Sequence, residues 1–121
     1  MTDSSNNSYV KDGKLYIMPT LTSDVIGQAA IFNGHTFNVS GCTGLNYTAC
    51  GAVSNRTTNT VIPPAMSARL TTRKSHSIRF GRVEIRAKLP RGDWLWPALW
   101  MLPKDPVYGE WPRSGEIDVS G

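Results

Sequence analysis

The sequence has only two cysteines and two histidines in 121 residues, and acidic side chains are the minority charge, 9 against 13 basic. His35 and His76 stand far apart and no Cys-x-x-Cys pair accompanies them, so the spacing of a zinc site is absent. Nothing forms a recognisable calcium ligand cluster, nucleotide motif or phosphate loop, and no cofactor or metal is expected. No run approaches the roughly 18 apolar residues of a membrane span. The longest, Trp94 to Pro103, is interrupted by Pro97. Met1 is followed by the polar stretch Thr2 to Ser8 instead of the apolar segment of a signal peptide. Residues 1–8 therefore read as a polar, disordered lead-in.

With 40% hydrophobic and 18% charged residues, the composition is that of a soluble globular protein with the length of one small domain. All-β sandwiches often need roughly 200 to 250 residues, however, and a chain that ends inside a strand pattern reads as a fragment. Asn6, Asn38, Asn46 and Asn55 each begin an Asn-x-Ser/Thr sequon, with Asn38, Asn46 and Asn55 in one Gly/Asn/Thr-rich region as the glycosylation candidates. Cys42 and Cys50 bracket a short loop. They read as a disulfide formed in an oxidising compartment, with two unpaired thiols as the alternative. A secreted or cell-wall location and a monomeric state are expected.

Lys14 to Ile17 reads as a strand that follows the Asp12-Gly13 turn and is closed by Pro19. From Gly34 to Pro64 the chain shows no lasting period and reads as loops with short strands. Met66, Ala68 and Leu70 alternate with polar residues, a second strand. Ile78 and Phe80 then alternate on even positions, and Val83, Ile85, Ala87 and Leu89 on odd ones, a slip that requires a bulge at Gly81-Arg82. The polar face beyond the slip is Arg82, Glu84, Arg86 and Lys88, and most of the basic surplus lies between Arg69 and Arg91. A nucleic-acid stripe would need sustained clustering without Glu84 inside it, so a solvated sheet face partly lining a cleft is the better reading, with no nucleic-acid partner.

Trp94, Trp96, Trp100 and Trp111 fall within eighteen residues. Their flat faces can stack on the C–H faces of sugar rings. In a strand Trp94, Trp96 and Trp100 share parity and lie on one face if Pro97 keeps the register, with Trp100 the one expected to pack in a core. After Gly115, the residues Glu116, Asp118 and Ser120 alternate with Ile117 and Val119, the pattern of a half-buried strand. Two carboxylates then share a face, with apolar residues packed behind them. Two solvated acids on an open strand face are the plainer alternative.

Gly115-Glu116-Ile117-Asp118-Val119, preceded by Arg82 to Pro90 and by Trp96-Pro97-Ala98-Leu99-Trp100-Met101-Leu102-Pro103, resembles glycoside hydrolase family 16, in particular its fungal β-1,3-glucanase-like members, from about Asn7 to the end. The resemblance implies an all-β, concanavalin A-like jelly-roll sandwich, of which residues 1–121 would be the N-terminal portion. It also implies retaining hydrolysis of a β-1,3- or β-1,3/1,4-glucan, in which one carboxylate attacks the anomeric carbon and another, about 5 to 5.5 Å away, serves as acid and base. By the same resemblance Glu116 is the nucleophile, Asp118 the supporting carboxylate, Trp96 and Trp111 subsite linings, and Trp94 and Arg86 further substrate contacts. The acid/base glutamate is expected at Ser120 in a regular strand or at Gly121 in a bulged one, and neither is a carboxylate. Three explanations stay open: a truncated gene, a glucan-binding relative without catalysis, or an unfolded remnant.

Overall fold

The computed structural model describes residues 4–42, 44 and 50–120. It divides into two compact units, Met1–Leu70 and Thr71–Gly121. Among the described residues the strands pair into four two-stranded antiparallel sheets, joined by two short helices, so the chain is β-rich with little helix.

The first unit opens on a hairpin. Asp12 (φ 50°) and Gly13 (φ 70°) both occupy the left-handed region, which a two-residue turn between right-twisted strands requires, and they join β1 (Ser8–Lys11) to β2 (Lys14–Ile17). The facing pair Tyr9 and Tyr16 stack with ring centroids 5.0 Å apart. The polar lead-in expected over residues 1–8 does not extend this far. Asn7 is 1% exposed, and its amide donates to the Met18 carbonyl (2.7 Å) and to Thr20 Oγ1 (2.9 Å), tying the entry of β1 to the chain that follows β2.

Next, β3 (Thr20–Leu21) pairs with β6 (Ala65–Met66), and the turn into α1 (Ser23–Ile26) is held by buried Thr22, whose hydroxyl donates to the Pro63 carbonyl at 2.7 Å. Gly27 (φ 81°) separates α1 from α2 (Gln28–Phe32). The sequence pattern does not foresee these helices, each too short to show a helical period. β4 (Thr36–Asn38) pairs with β5 (Gly51–Val53), and the Cys42–Cys50 disulfide closes the segment between them, with Cα atoms 5.5 Å apart. Ser54 lies fully buried. Its hydroxyl donates to the Ala30 carbonyl (2.6 Å) and accepts from the His35 N–H (3.0 Å), linking α2 to this sheet. Ile31, Ile62, Met66 and Ala68 form the small apolar core. The strand expected over Met66, Ala68 and Leu70 shortens to β6: Met66 and Ala68 are buried, but Leu70 is exposed.

In the second unit, β7 (Leu99–Met101) pairs with β8 (Ile117–Ser120). The strands expected over Ile78 to Leu89 do not form: they have no ladder partner among the described residues, and Ile78, Phe80, Val83, Ile85 and Leu89 are all exposed. Within this segment Arg82 and Glu84 form an ion pair. None of the described residues of this unit is buried. No described helix is long and apolar enough to cross a membrane, and no described group of three or more His, Cys, Asp or Glu could hold a metal ion.

Candidate functional site

The β7–β8 ribbon carries the paired carboxylates. Its register sets Met101 opposite Ile117, Trp100 opposite Asp118 and Leu99 opposite Ser120, which leaves Val119 as an extra residue in β8. Side chains of facing residues share a side of the ribbon, so Trp100 and Asp118 lie on one side and Leu99, Met101, Ile117 and Ser120 on the other. The simple alternation that would group Ser120 with Asp118 is therefore broken by the bulge. Of the two positions at which the resemblance places an acid/base, Ser120 falls on the side away from Asp118, and Gly121 lies outside the described residues.

The apolar layer expected behind the carboxylates is also missing. Ile117 and Val119 are exposed, because a two-stranded ribbon has no second layer to bury them. Trp100 is half-buried and falls short of the core packing expected of it.

Glu116 is placed by the loop before it. Ser114 Oγ donates to the Gly109 carbonyl (2.6 Å) and accepts from the Tyr108 N–H (3.1 Å), while the Arg113 and Gly115 N–H groups donate to the carbonyls of Glu110 (2.9 Å) and Pro112 (3.0 Å). Gly115 adopts φ 87°, a left-handed conformation that lets the chain turn directly into Glu116 and β8. The outcome is a closed loop that lays Trp111 against Glu116, with the indole N–H donating to Oε2 at 2.6 Å. Motif reasoning singles out Trp111 and Glu116 but misses Ser114 as the clamp. The cue available in the sequence is a serine just inside two glycines, Gly109 and Gly115.

The remaining expected contacts stand apart from this pair. Trp94 (101% exposed, φ 67°) and Trp96 (84% exposed) precede β7 and do not share its face with Trp100, since Pro97 and the left-handed Trp94 end the extended register. Arg86 is exposed, and among the described residues neither it nor Trp94 or Trp96 is hydrogen bonded to Glu116 or Asp118. An open depression lined by Lys88, Leu89, Pro90 and Arg91 contains none of the expected site residues. Of the glycosylation candidates, Asn38 is exposed on β4, and Asn55 is exposed in a turn where its Oδ1 accepts from the Thr57 N–H (2.8 Å). Asn46 lies outside the described residues.

The chain is 46% identical over 119 residues to a beta-1,3-glucan-binding protein of Penaeus monodon, an alignment that covers 93% of this chain and 32% of the relative. It is 34% identical over 115 residues to a beta-1,3-glucan-binding protein of Tenebrio molitor (94% of this chain, 24% of the relative). Over 53 residues it is 62% identical to glucan endo-1,3-beta-glucosidase A1 of Niallia circulans (44% of this chain, 8% of the relative). The chain thus spans a third or less of the length of these relatives. No family model matches the chain, and no solved structure matches it.

Proposed function

We propose that this chain contributes the glycan-contacting part of a secreted protein that recognises β-1,3-glucan. The observation that carries the reading is the closed loop that presents the exposed face of Trp111 (67% exposed) beside the Glu116 carboxylate. An aromatic face accepts the C–H side of a pyranose, and a carboxylate oxygen accepts sugar hydroxyls, so the two together match a carbohydrate and not an apolar ligand. Relatives named for β-1,3-glucan binding and for endo-1,3-β-glucosidase activity support the same ligand. Trp94, Trp96 and Arg86 are proposed to extend the contact along the chain of sugars.

Binding without cleavage is the reading favoured here. Hydrolysis by Glu116 as nucleophile, with Asp118 supporting it, would need a second carboxyl group about 5 to 5.5 Å from the first to protonate the leaving oxygen. Ser120 supplies no carboxyl and faces the other side of the ribbon. General acid help is typically worth about 10²–10⁴-fold, so a site without it would cleave glucan that much more slowly while still being able to hold it. The hydrolase reading keeps one observation in its favour, the 62% identity to the glucosidase over 53 residues. We further propose that residues 1–121 belong to one jelly-roll sandwich domain and that the chain acts as a monomer. Exposure of Asn38 and Asn55 fits glycosylation at these sequons, as the disulfide fits secretion.

The test is retention on insoluble β-1,3-glucan, with release of reducing ends followed in parallel. Retention without release supports the binding reading; retention with sustained release restores the hydrolase. A chain that passes through unretained removes both.

A further inference from the structure

We infer that Trp111 is a positioning residue for Glu116: its indole N–H holds one carboxylate oxygen of Glu116 and leaves the other for the glycan received on the indole face. The inference deepens the glucan reading and depends on it for the identity of the ligand, but not for the contact itself.

The chemistry of the pair dictates the division of labour. An indole N–H donates and cannot accept, so once it is committed to Glu116 Oε2 the rest of Trp111 is an apolar face. A donor to an ionised carboxylate makes a stronger bond than one between neutral groups. The short separation of 2.6 Å fits that description. Without it, exposed Glu116 would sample the rotamers of a long, flexible side chain, and each ligand would have to freeze them on binding. The loop makes the hold effective. Ser114 fastens Gly109 and Tyr108, and the Gly115 N–H fastens Pro112, so Trp111 is carried on a self-bonded turn and not on a free tether. Asp118 is fixed differently, by its place in β8 opposite Trp100. One carboxylate is aimed by the backbone and the other by a side chain.

The experiment follows the indole N–H resonances of the ¹⁵N-labelled intact chain, with Trp111 assigned by the loss of its signal in Trp111→Phe. In Glu116→Gln the Trp111 signal is expected to move upfield, because a neutral amide is a weaker acceptor than the carboxylate. Asp118→Asn and Glu110→Gln, which leave the indole's acceptor in place, should produce no such response. Retention on laminarin-coated beads supplies the second readout. Trp111→Phe keeps an aromatic face but loses the N–H, and is expected to weaken retention several-fold. Adding Glu116→Gln to Trp111→Phe should cost less than the same change in the wild type, because the two groups act as one. A Trp111 signal indifferent to Glu116 overturns the inference, whatever the glucan result. A persistent indole response in a chain that does not bind laminarin overturns the glucan reading and with it the positioning role, leaving a structural contact only.

Discussion

Residues 4–70 and residues 71–120 solve opposite problems. The first region turns its polar side chains inward. Asn7, Thr22 and Ser54 are buried, each bonded to backbone groups that would otherwise be stranded, around the core of Ile31, Ile62, Met66 and Ala68. The second region contains all four tryptophans and buries none of its described residues. On the proposed function, stability and glycan recognition would be carried by different stretches, and substitutions should separate them.

The sharpest break of that contrast is Ile62→Ala. Ile62 is 2% exposed, and truncating a buried aliphatic side chain costs about 2–5 kcal/mol. Denaturant unfolding of the intact chain should show the loss, and an unmoved midpoint would mean that the first region is not the stabilising one. Opening the Cys42–Cys50 bridge by a double change to serine comes next. A loop of sequence separation 8 is worth about 2–3 kcal/mol in the chain-entropy model, to be measured against the oxidised chain. Ser54→Ala should cost about 1–3 kcal/mol, since it strands both the Ala30 carbonyl and the His35 N–H. Hydrogen exchange at His35 should accelerate with it, and protection that stays unchanged would remove Ser54 from its linking role. In the second region, Trp96→Ala should move the unfolding midpoint least, within about 0.5 kcal/mol, because an exposed ring has little packing to lose. Its effect should appear instead as weaker retention on β-1,3-glucan. A Trp96→Ala chain that unfolds early but binds normally would reverse the contrast.

Short-range chemistry was the legible part of the fold. The Asp12-Gly13 hairpin and the Cys42–Cys50 disulfide follow from residues a few positions apart, whose geometry tolerates few alternatives. The strand that holds Asp118, with Glu116 just before it, follows from local alternation in the same way. The strands expected between Ile78 and Leu89 fail for a different reason. Alternation shows that a segment is suited to a sheet, but it does not supply the partner strand that would make one. The bulge at Val119 leaves no mark in the alternation of Ile117-Asp118-Val119-Ser120; the family resemblance offers a bulged strand as one of two forms, and pairing with β7 exposes the extra residue. Ser114 was missed because a clamp made of backbone contacts has no side-chain periodicity to reveal it.

Val119 turns β8 into something like a frame-shifted message. Upstream of it, odd and even positions keep one assignment of sides; downstream, the assignment is inverted. Removing Val119 would leave the serine on the side away from Asp118, whereas one residue gained between Leu99 and Trp100 would pair with Val119 and return Ser120 to the side of Asp118. The inventory of groups beside the two carboxylates can thus be rewritten by gaining one codon in β7, a shorter evolutionary step than replacing each side chain in turn.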